Sequence, residues 1–150
     1  MRPDDLASWM REEHDKVHDL KTRIREKVAV LPRVGVEEWI MEVRERFEHL
    51  RAHMTRHMGL EEHAGYLDAT IGKRAALSAQ VAKLSHEHGE MGRIMDDIHH
   101  DLGQLAVEDC LLIRDACWRI EQFLLYVDHH EEEEKWLVSC AIPPEAGSED

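Results

Sequence analysis

Two residue pairs in this chain have the type and spacing to hold metal. His57 with Glu61, and His130 with Glu134, each set an imidazole four residues before a carboxylate. On a helix, both members of such a pair leave the same face. Neutral imidazole nitrogens and anionic oxygens converging from two helices are what a buried two-cation site needs. The first pair lies in Leu50 to Leu67, the second in the acidic run Tyr126 to Leu137.

Helices must position them, and apolar periodicity predicts four. The first is expected from about Asp4 to Leu31, with a seam of Leu6, Met10, Val17, Leu20, Ile24, Val28 and Leu31 at spacings of three and four, as an amphipathic helix requires. His14 fills the gap between Met10 and Val17. Pro32 and Gly35 then break the pattern. The second helix starts near Val36 and runs through Ile40, Val43, Phe47, Leu50 and Met54 to His57 and Glu61, with Gly65 and Gly72 marking its end and turn. The third follows from about Arg74, with Leu77, Val81, Leu84, His88, Met91, Met95, Ile98 and Leu102 on its seam. The fourth runs from near Asp109 to about Cys140, through Ile113, Cys117, Ile120, Leu124, Val127, His130, Glu134 and Leu137.

Each predicted helix thus carries one histidine on its apolar seam, and two add a glutamate. His86 and His129 each stand two residues past a seam position, about 200° around the helix, and point outward. In an up-down-up-down bundle, residues at one height are symmetric about the intervening turn. The midpoint of His14 and His57 falls near Gly35, that of His57 and His88 beside Gly72, and that of His88 and His130 near Asp109. A single layer of ligands follows. Buried carboxylates without partners cost several kcal/mol each, and these seams offer Glu61 and Glu134 no Lys or Arg. Metal cations would offset that charge. The expectation is an all-α, up-down-up-down four-helix bundle over residues 1–142 with an internal metal site, and a disordered acidic tail over 143–150.

Composition agrees. Helix formers dominate, the formal net charge is −13, and there are twelve histidines, an excess that hints at metal. Such an acidic chain is not expected to bind nucleic acid or an anionic membrane. No apolar run reaches a membrane-spanning length. Cys110, Cys117 and Cys140 form no Cys-x-x-Cys, and read as reduced thiols in a cytoplasmic protein. Cys110 and Cys117, a heptad apart, are expected to pack in the core. His18 and His53, one turn from His14 and His57, are possible additional ligands. His49, His63, His99 and His100 read as exposed, Glu131 to Glu133 as a mainly solvated face, and the four tryptophans as flanking the core. There is no zinc-protease His-Glu-x-x-His, phosphate loop or Gly-x-Ser-x-Gly nucleophile.

These residues resemble the hemerythrin-like, or HHE cation-binding, family. Glu13-His14 with Val17 is similar to its Glu-His-x-x-apolar opening, and Glu87-His88 with Met91 repeats it. The stretch Leu50 to Glu62, followed by Gly65-Tyr66-Leu67, resembles the second-helix motif, and His130-Glu131 with Glu134 the fourth. The resemblance implies a non-haem di-iron centre, carboxylate- and oxo- or hydroxo-bridged, with Glu61 and Glu134 bridging the irons. It departs from oxygen-carrying hemerythrins in having Leu84, not histidine, four residues before His88. The ligand set is then His14, His57, Glu61, His88, His130 and Glu134. The expected ligand is oxygen, nitric oxide or peroxide, for a sensor, scavenger or carrier rather than a dedicated enzyme, with weak peroxidase-type turnover as a side activity. The alternative is an iron-availability or redox-sensing module that signals through a partner protein.

Overall fold

A computed structural model describes residues 3–64 and 75–141. Among them are four α-helices, α1 (Pro3–Val28), α2 (Val36–Ala64), α3 (Ser78–Gln104) and α4 (Cys110–Ala141), with a 3-10 turn at Ala75–Leu77 and no strand. Each helix packs against two others in the cyclic order α1, α2, α3, α4. Neighbours run antiparallel. Along α1 and α2, for example, contacts step from Trp39 Nε1 on the Lys27 carbonyl, through Arg46 on that of Arg23, to His53 beside Glu13. The chain forms a four-helix bundle.

The seams form its core. Phe47, Leu50, Met91, Met95, Ile120 and Leu124 are completely buried, and Phe47 meets Phe123 edge-on at 6.3 Å between ring centroids. This apolar block fills the half of the bundle that holds the α1–α2 and α3–α4 connections. A smaller cluster of Met10, Leu77, Leu84, Leu137 and Val138 closes the other half. The polar seam positions lie between the two.

Several boundaries differ from expectation. α1 ends at Val28, three residues before Leu31, which is exposed. Pro32 offers no amide hydrogen to continue the helix, and Gly35 adopts a φ of +68° that favours glycine. α3 begins at Ser78; Arg74, Gly65, Gly72 and the tail 143–150 lie outside the described residues. The third turn has its own device. Asp109 accepts a hydrogen bond from the Ala106 amide through its side chain and one from the Ile113 amide through its carbonyl, which starts α4. Cys110 is exposed rather than in the core, because it stands at the first residue of α4, before the seam begins.

Candidate metal centre

The expected level holds. His14, His57, Glu61, His88, His130 and Glu134 come from four helices and all are buried, none more than 7 % exposed. Two groups of three have their ligand atoms close enough to hold a metal ion: His14, His57 and Glu134, and His88, His130 and Glu134. Glu134 belongs to both. Its Oε2 lies 3.2 Å from His14 Nε2, while its Oε1 lies 2.7 Å from His130 Nε2 and 3.4 Å from His88 Nε2. One carboxylate therefore turns one oxygen toward each histidine group.

Glu61 stands opposite. Its Oε1 is 2.5 Å from His57 Nε2 and 3.8 Å from His88 Nε2, so it too faces both groups. Neither contact has hydrogen-bond geometry, and both Glu61 oxygens are buried without a hydrogen-bond partner. Such a carboxylate is costly to leave as an anion in a protein interior. Burial, and then the negative charge of Glu134, push its pKa well above the ordinary value. Burial alone would raise that of Glu134 as well, but His130, His14 and His88 pull it well below. The two carboxyls are pushed in opposite directions, Glu61 toward its protonated form and Glu134 toward its anion. Cations between them would offset the buried charge and give the orphaned oxygens partners. The donor set of four imidazoles and two carboxylates fits a metal pair.

Two of the histidines are held from behind. His130 Nδ1 lies 2.8 Å from Glu87 Oε1 and His88 Nδ1 2.7 Å from Glu62 Oε1, whereas Glu13 Oε2 is 3.4 Å from His57 Nδ1 without hydrogen-bond geometry. A carboxylate at Nδ1 favours the tautomer whose Nε2 lone pair faces the centre, and raises ligand basicity. The indole of Trp9 stacks on His57 at 4.9 Å with an interplanar angle of 13°. The titration pattern follows from these contacts. Burial lowers the pKa of His57. For His130 burial is opposed by Glu134 and Glu87, which raise it to about 9. His88 is raised in the same way by Glu134 and Glu61 against the effect of burial.

These supporting carboxylates were not assigned a role from periodicity, yet the sequence carries a signal for two of them. In Glu13-His14 and Glu87-His88, the glutamate precedes a seam histidine and lies one position off the seam. It cannot face its own neighbour's centre, so it reaches across to the histidine of the next helix: Glu13 to His57, Glu87 to His130.

The possible additional ligands diverge. His18 is exposed. His53 is buried, but its Nε2 lies 3.0 Å from Glu13 Oε2 and its Nδ1 3.0 Å from Arg56, and it belongs to neither group of three. His49, His86, His99, His100 and His129 are exposed, and the side chain of His63 lies outside the described residues.

Glu131 requires a correction. It is 8 % exposed, not solvated, because Lys21 of α1 is buried against it with Nζ 2.7 Å from Glu131 Oε1 and 2.5 Å from Asp128 Oδ1. Glu131 joins His14, His57, His130 and Glu134 around a cavity of about 20 Å³ whose remaining wall is Val17, Met54, Met58, Met91 and Val127. That volume suits one water-sized guest.

The tryptophans also differ among themselves. Trp39 is buried and donates to the Lys27 carbonyl, whereas Trp118 and Trp136 are exposed. No family model, curated protein or solved structure matches this chain, and no helix among the described residues is long and apolar enough to cross a membrane.

Proposed function

We propose that this chain is a hemerythrin-like di-iron protein that binds or reacts with oxygen, peroxide or nitric oxide. The observation that carries the reading is Glu134, whose two oxygens face two separate histidine groups at the centre of the bundle. A bridging carboxylate between two cations calls for that arrangement. His14 and His57 would hold one ion, His88 and His130 the other, with Glu61 and Glu134 shared. Iron bound there supplies an open coordination position and one-electron chemistry.

The chain's own groups do the rest. Glu62 and Glu87 keep the His88 and His130 imidazoles turned inward. Met54, Met58, Met91, Val17 and Val127 exclude bulk water from the cavity beside the ligands and limit its guest to a very small molecule. The histidines favour the anion of Glu134 while burial favours the protonated form of Glu61, so metal would compete with protons mainly at Glu61.

Elemental analysis and an anaerobic oxygen titration of the ferrous protein, followed by absorbance, test the reading. About two irons per chain are expected. A reversible spectrum assigns carriage, and irreversible oxidation assigns redox chemistry or sensing. Protein that folds fully without iron and takes none up refutes the proposal.

A further inference from the structure

The outer face of α4 is not built like a solvated surface. Leu111, Trp118, Leu125 and Trp136 are 82, 60, 58 and 53 % exposed. At about 100° per residue, the four lie within roughly 40° of one another around the helix. They form one apolar stripe along most of α4, on the side away from the metal-ligand seam. Together these side chains offer water on the order of 600 Å² of apolar surface, the upper end of what monomeric proteins leave uncovered.

From this face we infer that the chain pairs with a second copy of itself, α4 against α4, antiparallel about a two-fold axis near Phe123. That operation brings the two ends of the stripe together and sets its middle against polar positions. Leu111 comes opposite the partner's Trp136, Trp118 opposite the partner's His129, and Gln122 opposite the partner's Leu125. Both ends of the stripe match in shape as well. Beside Trp136 lies a cleft of about 350 Å³, walled by Leu84, Lys83 and His129 among others, which can receive the protruding Leu111 of the other copy.

Charge fits the pairing on one flank; on the other, Asp115 comes near the partner's Glu133, whose charge Lys83 offsets at 2.6 Å. Arg114 near one end and Glu132 near the other stand on the same flank of the stripe, and both are exposed. In an antiparallel pair, like flanks meet, so the two-fold brings Arg114 beside the partner's Glu132 twice. A parallel pair would not. Two stripes in contact remove about 1,200 Å² from water, the lower end of what a specific, stable interface buries. The chain's net charge of −13 opposes association at long range, so apolar contact at the stripe must drive it.

Light scattering on the full-length protein tests this, independently of whether the centre holds metal. The expected mass is twice the 17.5 kDa of one chain. Trp118→Glu should return it to one chain with an unchanged helical circular dichroism spectrum, since Trp118 supports no core contact. Arg114→Glu alone and Glu132→Arg alone should each weaken dimerisation by about tenfold, and the double variant should recover it. A wild-type protein at the mass of one chain overturns the inference, as does a Trp118→Glu protein that remains dimeric. A dimer whose charge-swapped double variant fails to recover overturns the antiparallel pairing.

Discussion

Lys21 gives the sharpest stability prediction. Its side chain is 5 % exposed and its ammonium contacts two carboxylates of α4, Glu131 at 11 % and Asp128 at 42 % side-chain exposure. Lys21→Met keeps the length of the apolar stem and removes the charge. Asp128 is open enough for water to replace most of what it loses. Glu131 is not, and stays in the protein interior beside Glu134 with nothing to offset it. Breaking a buried ion pair from one side costs about 3–5 kcal/mol; with Asp128 contributing little, about 3 kcal/mol is expected. For a chain of this length that lowers Tm by about 6–12 °C. Thermal and urea unfolding of the metal-free protein measure it, because bound cations would themselves offset Glu131. Lys21→Met with Glu131→Met, which removes both charges, should recover most of the loss. A single variant melting within about 2 °C of wild type would refute the assignment of this pair as a buried, mutually dependent one.

Two further outcomes follow from the centre. Glu134→Gln weakens a ligand common to both histidine groups and should cut bound iron from about two per chain to less than one, whereas His14→Gln touches one group and should leave about one; equal losses would argue against a shared carboxylate. In the metal-free protein, the His130 imidazolium, with its pKa raised from 6.5 to about 9, contributes stability that is complete below pH 6.5 and fades as pH rises through 9. Glu61, also raised, acts in the same direction. Tm of the metal-free protein should therefore fall between pH 6.5 and 9, while metal affinity rises as protons leave the ligands; a flat profile over that range contradicts the buried His130–Glu134 pairing.

Sequence by itself determined the helices and the level of the site. A seam repeats every three or four residues whatever it packs against, so a histidine standing in place of a leucine, as His57 and His88 do, must face the core. Equal distances from the turn signals at Gly35 and Gly72 then predict a common height, whereas the turn at Asp109 carries no strong breaker and shows only in the structure. What periodicity could not supply was anything that depends on which helix lies across the gap. Glu131 looks solvated along α4, and only Lys21 arriving from α1 makes its burial tolerable. Glu13 and Glu87 find their histidines on neighbouring helices, at contacts whose partners lie 44 and 43 residues away. His18 stands four residues after a seam histidine and His53 four before one, on opposite edges of their seams; one is exposed and the other buried beside Glu13, because the neighbouring helix decides which edge of a seam is covered. The two oxygens of Glu134 are the clearest case. Its position could be read from spacing, but its division between two histidine groups is a property of four helices together.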